Sequence, residues 1–141
     1  MKILIVSILV LLLFTDICQS NVSNEEYELN KKCGEEAAHY FSELHGKGEI
    51  ITGTGIISAG YLPHYNKANN ACYIQRLVVN ISDKGIPTRI SKILEEVHEN
   101  ALIGYCLTQY GDATASSCIV GDARCGAEKE FDTLIKPYMT Q

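Results

Sequence analysis

The first twenty residues of this chain determine the chemical environment in which the rest of it folds. A minimal basic start, Met1-Lys2, precedes an almost unbroken apolar run from Ile3 to Phe14. Cys18-Gln19-Ser20 then puts small residues at the −3 and −1 positions of a cut after Ser20. This pattern is typical of a secretory signal peptide, and its apolar run is too short for a membrane-spanning helix of about 20 residues. We therefore expect residues 1–20 to be removed and the protein to be exported.

Cys18 also allows a second interpretation, in which it becomes the lipidated first residue of a lipoprotein. The preceding Thr15-Asp16-Ile17 matches that signal poorly, because a lipoprotein signal has Leu followed by small residues. No other segment has the length and apolarity to span a bilayer stably. The expected location is therefore the periplasm or the medium.

Removal of the leader leaves residues 21–141, a length that suits one domain with a modest core. The formal net charge of the full chain is −5, and because Lys2 and Asp16 cancel, the exported part keeps this value. The only adjacent basic pair, Lys31-Lys32, sits beside acidic residues, whereas binding to a phosphate backbone needs clustered Lys and Arg. The composition therefore argues against nucleic acid as a partner.

One of the six cysteines, Cys18, lies in the leader, and the others meet an oxidising compartment, where disulfides are expected. Between Cys118 and Cys125, Gly121-Asp122 fits the two central positions of a type II′ hairpin turn. That register sets the two cysteines opposite each other with Cα atoms about 5.5 Å apart, a separation that a disulfide accepts. The sequence therefore predicts a Cys118–Cys125 bridge.

The remaining cysteines predict a second bridge and one free thiol. A Cys33–Cys72 bridge ties the long helix to the clearest strand, and it leaves Cys106 without an internal partner. The apolar neighbours Tyr105 and Leu107 favour a buried, inert thiol, although pairing between two chains is the alternative. Zinc is a poor alternative, because the chain lacks the short Cys and His spacings of zinc sites.

Periodicity and turn chemistry predict the first elements of the fold. An amphipathic stripe predicts a helix over residues 24–45, with a capping box at Ser23-Asn24-Glu25-Glu26. Residues 50–62 are rich in β-branched side chains and glycine, which indicates a strand. Residues 64–70 have turn chemistry, and residues 72–81 form the clearest strand. The two strands are expected to pair as an antiparallel hairpin.

The second half of the chain is less uniform. Residues 90–110 begin with apolar side chains at helical spacing, which favours a helix on pattern alone, and continue with strand-like residues. Near the C-terminus, Phe131, Leu134 and Tyr138 belong to a helical stripe that Pro137 is expected to end or kink.

Three segments together resemble a functionally uncharacterised family of small exported bacterial proteins. The segment from His64 to Cys72 is similar to its H-Y-N-x-K-x-x-x-C pattern, and Leu94 to Tyr105 is similar to a second element. The ending, with Cys118-x6-Cys125, E-F and K-P-Y-M, is similar to the third.

The resemblance covers Cys33 to Met139 and implies a bacterial exported protein with a helix–sheet–helix layout. It favours two strands over residues 90–110, with a turn near Glu99-Asn100. Gly126 replaces the Ser of the family pattern before the last helix, which removes an N-cap. The resemblance implies no reaction.

The side chains that could carry chemistry point to structural roles. His39 and His45 lie six residues apart on one helix and do not share a face. His98 follows Glu95 in a Glu-x-x-His pair, but helical metal sites use two such pairs. His64 precedes a turn, where a ring commonly bonds the backbone. We therefore expect no metal, no cofactor and no enzymatic activity.

His64, Tyr65 and Asn66 form the best candidate binding site, because they could present an aromatic ring and two polar groups on an exposed turn. The alternative is that Asn66 shapes the turn and Tyr65 packs over the sheet.

The sequence predicts an α+β domain, with an N-terminal helix packed on a small antiparallel β-sheet and closed by a C-terminal helix. Disulfides would stabilise its modest core. The expected function is that of an exported non-catalytic domain that binds a protein or small ligand, or that is structural in the cell envelope. The alternatives are an exported inhibitor or immunity-type protein and an enzyme with an unrecognised site.

Intact-mass measurement on the exported protein should give a chain that begins at Asn21. A Cys18→Ser variant should be processed at the same bond, because the cysteine is only one of the small residues before the cut. A chain that begins at Cys18 and carries acyl groups would instead establish the lipoprotein interpretation.

Overall fold

In the computed structural model the chain forms a long N-terminal helix, a seven-stranded antiparallel sheet and two short C-terminal helices. The structure describes the backbone of residues 2–140 and the side chains of residues 24–140. The chain divides into two compact units, Met1–Lys32 and Cys33–Gln141. The first is helical throughout its described backbone, and the second contains the sheet and the hydrophobic core.

The strands are joined in the simplest possible order. Each strand pairs antiparallel with its neighbour in the sequence, so the sheet order is the chain order. The helices are α1 Lys2–His45, α2 Glu128–Leu134 and α3 Lys136–Met139. The strands are β1 Glu49–Thr52, β2 Gly55–Asn66, β3 Ala71–Ser82, β4 Pro87–Glu96, β5 Ala101–Gln109, β6 Ser117–Val120 and β7 Ala123–Arg124.

The predicted N-terminal helix is present, but its start was predicted wrongly. Helix α1 ends at His45, as expected, and Gly46 follows in the left-handed region with φ of 59°. Its backbone is helical from Lys2 onwards, so residue 23 lies inside the helix and not at its start, and the side chain of the predicted cap, Ser23, is outside the described residues. The apolar leader is itself helix-forming, which explains the continuity. The side chains around the predicted cut after Ser20 lie outside the described residues.

The predicted strand over residues 50–62 is instead a hairpin. Strands β1 and β2 turn at Gly53-Thr54, and the Oγ1 atom of Thr52 donates to the Gly55 carbonyl at 3.0 Å. The predicted loop over residues 64–70 is shorter than expected. Asn66 still pairs with Ala71, so only residues 67–70 form the turn, and the other three belong to β2.

Residues 90–110 form two strands, as the resemblance implies. The helix that the apolar spacing favours is therefore wrong. Strands β4 and β5 turn at residues 97–100, where Asn100 has φ of 53°. Helical spacing arises here because β4 has apolar residues on both faces. Ile93 faces Tyr105 on one side of the sheet, and Leu94 faces Gly104 on the other. The sheet is therefore larger than the small one that the sequence predicts.

The helices cover opposite faces of the sheet. From α1, Ala37 and Phe41 pack with Ile74 on one face, which we call the α1 face. On the other, the α2 face, Phe131 and Ile135 close the main core. The remaining buried members of that core are Tyr73, Leu94, Cys106, Cys118 and Val120.

The C-terminal part closes as the sequence predicts. Gly121 has φ of 55° at the β6–β7 turn, and Asp122 after it is not in the left-handed region, as a type II′ turn requires. The C-terminal helical stripe breaks at Ile135 into α2 and α3, with Pro137 in the first turn of α3. The N-terminus of α2 has no side-chain cap, but Glu130 accepts a hydrogen bond from the Gly126 backbone at 2.7 Å.

Substitution of Gly104 by Ala should destabilise the sheet. A Cβ atom at Gly104 would lie 2.7 Å from the Ile119 carbonyl oxygen and 3.0 Å from the Val120 Cα, so β5 and β6 would have to separate. We expect thermal denaturation to report a loss of about 1–3 kcal/mol. Gly60→Ala is the matched control and should not be destabilised, because a Cβ atom at Gly60 meets no atom within 4 Å. Both variants are compared in dilute solution, where the chains do not associate. Equal losses in both variants would contradict this account.

Candidate functional site

The candidate site at His64, Tyr65 and Asn66 is at the end of β2 and not on an exposed turn. Tyr65 and Asn66 are buried, with 7% and 1% of their surface exposed. The expectation that these residues present polar groups to a ligand therefore does not fit their position. Strand β2 is longer than its sequence suggests, because its pairing with β3 continues to Asn66.

Asn66 connects the sheet with the C-terminal helices. Its Nδ2 atom donates to the carbonyl oxygens of Pro137, Tyr138 and Thr140 at 2.8, 3.1 and 2.9 Å. Its Oδ1 atom accepts from the Asn69 backbone at 3.1 Å. Carbonyl groups at a helix C-terminus lack partners within the helix, and this side chain supplies one. Asn66 therefore holds α3 against the β2–β3 turn.

The other two residues of the motif also face inwards. The Tyr65 hydroxyl donates to Oδ1 of Asn70 at 2.7 Å, and Asn70 adopts φ of 50° in the turn. His64 pairs with Tyr73, and among the described residues its buried Nε2 atom has no hydrogen-bond partner. The H-Y-N motif thus shapes the turn and anchors the C-terminus.

The cysteines form the two pairs that the sequence predicts. Cys33 of α1 is bonded to Cys72 of β3, with Cα atoms 5.4 Å apart. Cys118 and Cys125 close the β6–β7 hairpin, with Cα atoms 5.0 Å apart.

Cys106 is free and buried in the core. Burial, together with the nearby Glu128, raises the pKa of its thiol above the ordinary value. Because the thiolate is the reactive form, this environment makes Cys106 a poor nucleophile.

A buried polar cluster on the α1 face joins α1 to the sheet. Arg76 donates from Nε and Nη2 to the Glu95 carboxylate at 2.7 and 2.8 Å, and its Nη1 lies 2.7 Å from Nε2 of His45. Since a guanidinium can only donate, Nε2 of His45 accepts and the ring is neutral. Burial, and then the Arg76 charge, lower the pKa of His45.

A cleft of about 330 Å³ adjoins this cluster on the α1 face. The Arg76 guanidinium beside the cleft directs one N–H from each of its three nitrogens to Glu95 or His45, and these bonds hold the group in place. The cluster is therefore best explained as a support for the packing of α1. The apolar side chains that line the cleft include Ile93, Leu102 and Leu107.

His98 forms a second link between α1 and the sheet. Its Nε2 atom lies 2.7 Å from the Glu36 carboxylate, and its Nδ1 atom lies 3.1 Å from that of Glu96. Burial alone lowers the pKa of His98, but the two carboxylates outweigh it and raise the pKa above its ordinary value. Beside this link, the Tyr40 hydroxyl donates to Oδ1 of Asn100 at 2.7 Å.

An uncovered part of the α2 face is apolar. Paired residues of antiparallel strands point to the same face, and side chains alternate along each strand. By this rule, the half of the α2 face over β1 to β4 carries aliphatic side chains. We call this half the aliphatic face, and its members are Ile51, Ile56, Leu62, Leu77, Val79, Ile81 and Ile90.

Much of the aliphatic face is open to solvent in the described structure. Ile51 is 85% exposed, Leu62 58% and Leu77 43%, and Ile56 is also exposed. Monomeric proteins rarely leave a contiguous apolar patch of more than a few hundred Å² uncovered unless it binds something. This half of the sheet is therefore the best candidate binding surface.

The aliphatic face is uncharged at its centre. The other residues that face the same way there are Ser58, Gly60 and Gln75. Two charged side chains share this half of the face, and one of them, Lys92, lies directly opposite Leu77. Glu49 lies on β1, and Lys92 of β4 is held by Glu128 and Asp132 of α2.

Gly60 makes a hollow in this face. Its backbone is not in the left-handed region, and a Cβ atom there would meet nothing within 4 Å, so the described chain does not explain the glycine. Glycine inside a strand is destabilising by about 0.5–1 kcal/mol relative to alanine. Leu77 lies directly opposite Gly60, and Leu62 follows on the same face of β2. A glycine of this kind often marks the close approach of another molecule.

Sequence reasoning missed this surface. Alternation along β2, in which Ile56, Ser58, Gly60 and Leu62 share one face, is the signal that could have indicated it. The prediction of one strand over residues 50–62 conceals only the contribution of β1, because the turn at Gly53-Thr54 places Ile51, and not Ile50, on the face of Ile56.

Comparison with known proteins does not identify the chain: no family model, no curated protein and no solved structure matches it. Within the part whose side chains are described, none of the helices combines the length and the apolar composition that a membrane crossing needs. In that same part, no cluster of three or more His, Cys, Asp or Glu residues is arranged to hold a metal ion.

Substitution of Asn66 by Ala should destabilise the protein without affecting a binding activity. The change leaves three carbonyl groups of the C-terminal segment without their partner, which we expect to lower the free energy of unfolding by about 1–3 kcal/mol. Urea denaturation measures the loss. Asn30→Ala is the control, since Asn30 bonds only within α1. A stability equal to that of the control would contradict the anchoring role.

The His98 link should make stability depend on pH. Because its folded pKa is raised, charged His98 contributes stability fully below its unfolded pKa of about 6.5, and the contribution is lost as pH rises through the folded pKa. The ring is 51% exposed, so we expect at most about 1 kcal/mol. Denaturation at pH 5.5 and 8.5 should show a smaller difference for His98→Gln than for the native protein. An unchanged difference would contradict this assignment.

Proposed function

We propose that the protein is a small exported, non-catalytic domain that binds another protein through the aliphatic face. The observation that carries this proposal is a row of exposed aliphatic side chains on an ordered sheet, among them Ile51, Leu62 and Leu77. Apolar area removed from water contributes about 25 cal/mol per Å², so such a surface favours association.

The shape and chemistry of the face favour a protein over a small ligand. Small molecules bind in concave pockets that bury most of their surface and contain a few well-placed polar groups. The aliphatic face is the broad side of a sheet and has only Ser58 and Gln75 as polar residues at its centre. It suits the apolar side chains of a second protein surface.

The part of the β2 edge that β1 leaves unpaired is poorly suited to bind an additional strand. This favours binding of a partner on the face of the sheet. The Ala59 N–H bonds to the Gly48 carbonyl at 2.6 Å, so odd-numbered residues of β2 direct their backbone groups towards that edge. Beyond β1 the next such residues are Tyr61 and Pro63, and proline has no N–H to donate. Proline in such a position is a known means of blocking strand addition.

Two further features support a non-catalytic, exported domain. The buried polar groups bond mainly to one another, as Arg76 does with Glu95 and His45, and the Cys106 thiol is held in its protonated form. Two disulfides suit an oxidising compartment, which agrees with the predicted leader and with the resemblance to exported bacterial proteins. The cell envelope or the medium is the proposed location.

Site-specific photo-crosslinking in cells tests the proposal. A benzophenone amino acid replaces Leu62 on the aliphatic face or, as a matched control, Leu102, which is also 58% exposed but lies away from this face. We expect a discrete crosslinked protein from position 62 and none from position 102. Mass spectrometry identifies the product, and a hydrolase would favour the exported inhibitor.

Absence of any product from position 62, with the protein folded and exported, would overturn the proposal. Equal products from both positions would also contradict it, since they would indicate unspecific contact.

A further inference from the structure

We infer that the partner of the aliphatic face is a second copy of this chain, in a two-fold symmetric pair in which Leu62 and Leu77 of each copy pack at the Gly60 hollow of the other. This inference rests on the proposed function, because it assigns the occupant of the same surface. Four properties of the face support it.

The first property is self-complementarity. A two-fold pair buries the same patch on both copies, so the patch must contain both the projections and the recesses that fit them. Leu77 and Leu62 project directly beside Gly60, where open space remains for a side chain. Rotation about a two-fold axis can bring the projections of each copy towards the recess of the other.

The second property is the absence of charge. The chain carries a net charge of −5, so two copies can associate closely only through a surface that brings no acidic groups together. Ser58, Gly60 and Gln75 bring no charge to the contact, and Lys92, which lies opposite Leu77, is already paired with Glu128 and Asp132 of its own chain.

The third property is size. Four strands spaced about 4.8 Å apart and a span of about six residues, at about 3.3 Å each, give a patch of roughly 400 Å². Two copies would bury roughly 800 Å², which is below the about 1,200–2,000 Å² of stable specific interfaces and in the range of weak, transient ones, so we expect a reversible dimer that dissociates on dilution to low micromolar concentration.

The fourth property is the architecture of the contact. Two sheets pack face to face about 10 Å apart with their strands either nearly aligned or nearly perpendicular, and their side chains interdigitate. A strand residue without a side chain, such as Gly60, lets the opposing side chains enter. This accounts for a glycine that the isolated chain does not require.

Sedimentation of the exported protein between about 5 and 500 µM tests the inference. We expect the native protein to change from monomer to dimer over this range. In Gly60→Val the new side chain fills the hollow. It meets no other atom of its own chain and the backbone there is extended, so the variant should fold and melt normally in dilute solution. It should nevertheless stay monomeric at 500 µM, because the hollow is no longer free for the second copy. Leu62→Gln, at an exposed position, is a second variant that should also stay monomeric. Leu102→Gln is the matched control and should dimerise like the native protein.

A native protein that is monomeric at 500 µM would overturn this inference. A dimer that persists in both Gly60→Val and Leu62→Gln would also overturn it, because the contact would then lie elsewhere. The proposed function is judged separately by the photo-crosslinker at position 62. A different protein captured there would leave the proposed function standing and contradict only the second copy, whereas no capture would contradict both.

Discussion

The Cys33–Cys72 disulfide is a covalent link between α1 and the sheet, and it holds the helix against the α1 face. The bridge closes a separation of 39 residues, which in the chain-entropy model stabilises the fold by about 3–4 kcal/mol. Ala37 and Phe41 pack on Ile74 further along the helix, and the paired Arg76 and Glu95 hold its last turn through His45. The N-terminal half of the sheet is thereby covered on one face.

The second layer covers the opposite face at a different place. Helix α2 packs over β5 and β6, where Phe131 and Ile135 enter the core, and α3 packs against the Asn66 end of β2. Asn66 holds the C-terminal end and Lys92 bonds to α2 at its acidic residues. The parts of β2 and β3 away from the Asn66 end extend beyond these helices. The aliphatic face therefore results from an offset between two layers, and the chain provides no third element among its described residues to cover it.

The sequence predicts those features that depend on local chemistry or on covalent constraints. Gly121-Asp122 fits a two-residue hairpin turn, and this turn places Cys118 and Cys125 opposite each other. The disulfide between them could therefore be predicted from the sequence. Prediction from the sequence fails where contacts between distant residues determine the structure. The apolar spacing around Ile93 and Leu94 looks helical only because β4 has apolar residues on both faces. The buried role of Asn66 depends on a C-terminal segment more than seventy residues away. The aliphatic face also depends on tertiary structure, since the β1–β2 turn places Ile51, and not Ile50, beside Ile56.

The central claim is that the offset layers leave a surface on which a second copy docks. An isotope-filtered nuclear Overhauser experiment tests this most directly, on a mixture of labelled and unlabelled protein at a concentration where it is dimeric. We predict intermolecular signals between the methyl groups of Leu62 and Leu77 and the Cα protons of Gly60. Intermolecular signals from Leu102 and Leu107 on the α1 face, with none from the aliphatic face, would contradict the account.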